Sequence, residues 1–134
     1  MPTAANIVLA DAQATPVNHT FVPIGPDPKN ASRFIFEDQS QDSPIGYWRV
    51  VMELKRPAAP KSGETSASRV NRVLIELHEP VLENTTNSTV SGVSPAPMLS
   101  YVPRAFVEFV LPERSSLQNR KDLRKMLPLL LADA

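Results

Sequence analysis

The chain of 134 residues contains no cysteine. This excludes disulfide scaffolds, thiolate nucleophiles, iron–sulfur clusters and cysteine-ligated zinc together. Neither sign of charge is in excess, with 14 Lys and Arg against 14 Asp and Glu. So even a balance excludes a histone-like polycation or a disordered acidic tail. No apolar run approaches the roughly 18 residues of a membrane span, and the longest, Leu127 to Ala132, is interrupted by Pro128. The opening Met1-Pro2-Thr3-Ala4-Ala5-Asn6 has neither the basic start nor the apolar stretch of a secretory signal, so a cytosolic product is expected. Glycine is scarce as well, 4 residues against 14 prolines, which predicts rigid turns rather than flexible ones.

Catalytic patterns are missing too. The two histidines, His19 and His78, are far apart in the chain and give no metal-ligand spacing. No Gly-x-Ser-x-Gly turn is present to activate a serine. Neither Glu76 with Glu79 nor Glu108 with Glu113 forms a recognisable acid–base pair. No enzyme, metal, cofactor or small-molecule substrate is expected.

What is present is alternation. The length suits one domain, residues 1–134, able to bury roughly two thirds of its open-chain surface. Residues 6–24 read as a β-hairpin around Gln13-Ala14-Thr15-Pro16, followed by a hard turn at Gly25-Pro26-Asp27-Pro28. Residues 32–111 read as antiparallel strands with loops at 56–68 and 83–98. In the strand from Tyr47 to Lys55, Trp48, Val50, Met52 and Leu54 oppose Arg49, Val51, Glu53 and Lys55. Val73, Ile75 and Leu77 likewise oppose Arg72, Leu74, Glu76 and His78, and a last strand, Leu99 to Leu111, repeats the rule. Such patterns give a sheet one wet and one dry face.

Residues 115–132 read as helical, with a capping box of Ser115 and Gln118 and a kink or fresh start at Pro128. Leu123, Met126, Leu127 and Leu130 form its apolar stripe, opposite Arg120, Lys121, Arg124 and Lys125. The fold class is α+β. Only Glu113 and Arg114 separate Pro112 from the cap, too short a link for the helix to swing back across all its own strands. A helix of this length is roughly 27 Å long and needs a sheet within reach. A partner chain's sheet is the simplest supplier, through a homodimer with exchanged helices; packing on the chain's own sheet is the alternative.

Residues Val102 to Leu130, from Val-Pro-Arg-Ala-Phe-Val-Glu-Phe-Val-Leu-Pro to Met-Leu-Pro-Leu-Leu, resemble the last strand and helix of levivirus-type single-stranded RNA bacteriophage coat proteins. So does the opening Ile7-Val8-Leu9-Ala10-Asp11 with Ala14-Thr15-Pro16-Val17 and Thr20-Phe21. The resemblance runs end to end and rests on the combination rather than on one motif. It implies an N-terminal hairpin, a five-stranded antiparallel sheet and C-terminal helices crossing a homodimer. Dimers would build an icosahedral shell, by family expectation T=3, in virions assembled in the bacterial host cytoplasm. The inner sheet face would bind a genomic RNA hairpin, which marks the genome for packaging and represses replicase translation.

On that face alternation puts Arg33, Arg49, Lys55, Arg72 and Arg104 among Glu37, Glu53, Glu76 and Glu108, a weak net field for phosphate. The resemblance puts Trp48-Arg49 at the aromatic-basic start of the central strand. It puts Lys55 on a basic position near that strand's end, and Glu108 on an acidic position of the last strand. Phe106 is a candidate to stack on an unpaired base. The expected RNA-binding set is therefore Arg49, Glu53, Lys55, Arg72, Glu76, Arg104, Phe106 and Glu108, and the expected dimer interface is Leu123, Met126, Leu127 and Leu130. Val51, Leu74 and Phe106 depart from the family, which often has polar base-reading side chains there. The cations of the helix read as a solvated face, with no membrane partner. Loop 83–98 is the candidate for contacts around the shell's symmetry axes.

A competing reading is a secreted or surface β-domain glycoprotein or adhesin subunit. It draws on four Asn-x-Ser/Thr sequons, at Asn18, Asn30, Asn84 and Asn87.

Overall fold

Strand β1, Ile7–Ala10, pairs antiparallel with the first part of β2, Asn18–Asp27, from Ile7 opposite Phe21 to Ala10 opposite Asn18. Asp11 closes the connection. Its Oδ1 accepts the backbone N–H groups of Gln13 at 3.2 Å and Val17 at 2.9 Å, as short polar side chains do in turns. The architecture comes from a computed structural model that describes residues 4–83 and 96–134. Asn84, Asn87 and most of the 83–98 loop, with its expected symmetry-axis contacts, lie outside the described residues.

The second part of β2 pairs with β3, Asn30–Asp38. The turn expected at 25–28 is shorter than the sequence suggests. β2 continues through Gly25 and Pro26 to Asp27, whose Oδ1 accepts the Lys29 N–H at 2.9 Å. Gly25 makes this possible: its φ of 130° is open to glycine and strained for other residues. Register shifts flank it, between Pro23 and Gly25 and between Pro26 and Asp27. Such irregularities let prolines sit in a strand without supplying ladder donors.

A short 3-10 turn, Pro44–Gly46, leads into β4, Trp48–Lys55. Then come β5, Val70–His78, β6, Val81–Leu82, β7, Leu99–Tyr101, β8, Arg104–Pro112, and α1, Leu117–Ala132. The main sheet has six strands in the order β1-β2-β3-β4-β5-β8, so the hairpin strands belong to it and the expected five become six. The expected last strand is two. β7 pairs with β6, and β8 begins after Val102-Pro103, where proline supplies no ladder donor.

Contacts divide the chain into Met1–Glu53 with Leu74–Val107, and Leu54–Val73 with Glu108–Ala134. In the first unit Phe21, 1% exposed, packs with Phe36 and Val50, and Ile7, Phe34, Trp48 and Leu77 surround them. The hairpin thereby covers part of the dry face. Met52, on that same face, stays 37% exposed.

In the second unit the Glu113 N–H donates to the Arg69 carbonyl at 3.0 Å, and the Arg69 guanidinium joins Glu64 and Glu113. The helix cap falls one residue later than expected. Ser116 is the N-cap and Asn119 its capping-box partner, while Ser115 Oγ donates to the Pro112 carbonyl at 2.6 Å. No new segment begins at Pro128: α1 continues through it as one helix. Proline there withholds only the donor for the Arg124 carbonyl. No residue of α1 is buried.

Truncating Phe21 to Ala should lower the unfolding free energy by about 3–5 kcal/mol, read from the guanidinium midpoint. Val8→Ala, at a 56% exposed position, should change it by no more than about 0.5 kcal/mol.

Candidate functional site

The β3–β4 register sets Arg33 opposite Glu53, Ile35 opposite Val51 and Glu37 opposite Arg49. Alternation puts these side chains on one face and Phe34, Met52, Phe36, Val50, Asp38 and Trp48 on the other. Two rungs therefore pair a cation with a carboxylate, with an apolar rung between them.

Arg33 is the hub of the charged face. Its Nη2 donates to Glu76 Oε2 at 3.0 Å, while Nη1 lies 3.8 Å from Glu53 and Nε 3.8 Å from Asp27. Asn30 Nδ2 donates to Glu53 Oε1 at 3.2 Å, and His78 Nε2 lies 3.1 Å from the Glu76 oxygen that Arg33 holds. Glu53 and Glu76 are each 6% exposed. Carboxylates so deep are tolerated only where a cation and donors replace water. Both were expected on the open wet face. They are buried instead, because the register brings Arg33 onto the same face as both, and the pairing draws them out of solvent. Val51, assigned to that wet face, is also buried, at 4% exposed.

An open cleft of about 420 Å³ in the first unit has an apolar lining that includes Ile35, Val51, Ile45, Leu99 and Val102. Arg33, Arg49, Arg104, Tyr47 and His78 also line it, with Asp27 as its carboxylate. Arg49 pairs with Glu37 at 3.4 Å through a side chain 49% exposed, and Arg104 is exposed. Phe106, 58% exposed, meets the His78 ring edge-on at 5.9 Å. The arrangement can hold a flat, partly apolar group against the lining and an anion beside the arginines.

Of the residues expected here, Arg49 and Arg104 share the cleft, and Phe106 stands against one of its lining side chains. In the second unit Arg72 pairs with Glu108 at 3.0 Å, both about half exposed, and Lys55 is exposed. Tyr47 and His78 were not singled out from sequence. The signal for both was period two, since Tyr47 lies two residues before Arg49 and His78 two after Glu76. On α1, Leu123 is 49%, Met126 64% and Leu130 67% exposed, and Leu127 is half-buried. The described residues hold no cluster of three or more His, Cys, Asp or Glu fit for a metal.

The family profile described as Levivirus coat protein matches residues 2–134. No curated protein matches the chain. Among solved structures, the virus-like particle of bacteriophage ESE058 is 60% identical, with a TM-score of 0.88 over 98% of this chain and 90% of that one. The virus-like particle of bacteriophage NT-214 is 30% identical, with a TM-score of 0.76 over 98% and 89% of the two chains. The bacteriophage GA capsid protein, 20% identical with a TM-score of 0.66 over 93% and 82%, shares the fold.

Replacing Arg33 by Met should cost about 3 kcal/mol of unfolding free energy in urea, because two buried carboxylates lose their cation. Arg33→Lys should restore only part of it, since an ammonium lacks the guanidinium's fork of donors.

Proposed function

This chain belongs to the levivirus coat protein family, and from that membership we propose how its capsid role is carried out. It is a structural protein of a phage particle, not an enzyme. The family match displaces the glycoprotein or adhesin reading.

The proposed building unit is a homodimer in which α1 of each chain lies on the partner's sheet. The observation that carries this reading is the state of α1, whose Leu123, Met126 and Leu130 are half to two-thirds exposed. A stripe of this kind is stable in water only when covered. Receiving surface exists as well. In the second unit a cleft of about 510 Å³ sets Leu54, Val73 and Leu111 among Arg56, Arg69, Glu113 and Arg120 of α1 itself, and Leu54 is 40% exposed. Dimers then close into an icosahedral shell, of T=3 geometry by family expectation, in the host cytoplasm. The 60% identical relative is a virus-like particle, which supports self-assembly here.

The proposed RNA site is the face bearing Arg49, Arg104, Tyr47, His78 and Phe106. An unpaired base of a genomic hairpin stacks on the aromatic and apolar groups, and neighbouring phosphates meet the arginines. In the second unit, Arg72, Glu108 and Lys55 are a separate set of candidate RNA contacts. Glu53 and Glu76 leave the expected contact set and act as the anchors of Arg33. Because most cations here already hold carboxylates, non-specific attraction is weak and recognition depends on the shape of the RNA. Binding the hairpin marks the genome for packaging and represses replicase translation.

Two measurements test these assignments. Leu130→Asp should abolish particles and soluble dimer on sedimentation, because the desolvated carboxylate has no partner; intact particles would show that the stripe faces water. The double variant Arg49→Ala, Arg104→Ala should still assemble but bind hairpin RNA at least about tenfold more weakly, with the salt slope reduced by about two. Unchanged affinity would put the RNA elsewhere.

A further inference from the structure

His19 is the second residue of β2, with both ring nitrogens engaged. Nδ1 lies 2.8 Å from Asp38 Oδ2, at the end of β3, and Nε2 lies 3.2 Å from Asp11 Oδ2, just past the end of β1. The ring stacks on Trp48, the first residue of β4, with centroids 4.3 Å apart and planes 14° apart. Neither carboxylate is idle otherwise. Asp11 also accepts from Gln13 and Val17, and Asp38 accepts the Ser40 N–H at 3.1 Å. Glu79 lines the same cavity of about 250 Å³ as His19, Asp11, Trp48 and Phe21, and adds a third carboxylate. No Lys or Arg lines that cavity.

A neutral imidazole carries one N–H, and its other nitrogen presents a lone pair. Two ionised carboxylates facing both nitrogens are satisfied only by the imidazolium, which the face of Trp48 also favours. We propose that His19 is a proton-gated clasp on the N-terminal hairpin: charged, it ties Asp11 to Asp38 and Trp48, and on losing a proton it lets the Asp11 turn go. The proton leaves from Nε2 to water. The Asp38 contact is shorter and its carboxylate less exposed, so Nδ1–H stays where it is. Asp11 then faces a lone pair, and β1, four residues long at the edge of the sheet, loses its side-chain tie to Asp38 and Trp48 and keeps only the turn bonds of Asp11 to Gln13 and Val17. The role is independent of the proposed RNA and dimer surfaces.

The proton affinities agree in direction. The Asp38 hydrogen bond raises His19 above 6.5 against the opposing effect of burial, with Asp11 assisting. The Val17 N–H, and after it His19 and Gln13, bring Asp11 down to about 2 despite partial desolvation. Burial pushes Asp38 up, but His19 and Ser40 together hold it below 3.8. A raised histidine stabilises fully below 6.5 and stops doing so as pH climbs through its folded value. The lowered carboxylates stabilise above 3.8 and stop doing so as acid protonates them, Asp11 near 2. The full stabilising effect is therefore present between 3.8 and 6.5, and the clasp opens on the alkaline side, as pH passes the raised value of folded His19.

Trp48 is the sole tryptophan, and a stacked imidazolium quenches indole emission, so fluorescence reads the charge on His19 directly. The test titrates the assembled protein from about pH 6 to about pH 9. It follows Trp48 emission together with hydrogen exchange over residues 4–17, corrected for intrinsic rates. Emission should rise with a midpoint above 6.5, and exchange protection of β1 should fall at least about tenfold at that same midpoint, with β3 and β4 unchanged. In Asp11→Asn the amide can accept from Nε2–H or donate to its lone pair, so β1 should stay protected throughout while the emission step persists. His19→Gln should show no emission step and an unfastened β1 at every pH. Flat emission, a protection step at a different midpoint, or a β1 step that survives in Asp11→Asn would each overturn the clasp.

Discussion

A sheet with one dry face must have that face covered, and this chain covers only part of its own. Phe21 of the hairpin packs onto Phe36 and Val50 and is, at 1% exposed, the most deeply buried hydrophobic side chain among the described residues. The hairpin reaches no further along β4, where Met52 and Leu54 remain more than a third exposed. α1 has the complementary problem, with leucines and a methionine turned to water. An apolar strand face and an apolar helix stripe, each short of cover, are what an obligate assembly looks like in one isolated subunit.

The opposite face solves a different problem. A face whose cations are held by carboxylates attracts polyanions only weakly. Here the pairing is built into the β3–β4 register, which puts Glu53 across from Arg33 and Arg49 across from Glu37. Burial of Glu53 and Glu76 makes the Arg33 cluster a structural brace, and leaves the open cleft beside it to aromatic and apolar contacts with a small number of arginines.

Much of this was legible in the residue order. Period two in 47–55, 69–80 and 99–111 predicts strands with a wet and a dry face, since pleating sends neighbouring side chains to opposite sides. Ser–Ser–Leu–Gln–Asn announced a capped helix, misplaced by one residue because two adjacent serines compete for the cap; Ser115 lost by turning to the Pro112 carbonyl. The prolines misled more. Pro26 suggests a turn and Pro128 a kink or a fresh start, yet a bulge at Gly25 keeps Pro26 within β2 and α1 continues through Pro128 as one helix.

The sequence by itself determined the fold class, the family and the two-faced character of the strands, because these depend on local periodicity and on the whole-chain pattern. Only the tertiary structure decided which charges are surface and which are brace. That choice depends on cross-strand partners far apart in the chain, as with Arg33 and Glu76, or with His19 between Asp11 and Asp38. A carboxylate's neighbours within its own strand carry no information about the guanidinium two strands away, and burial follows from that partner.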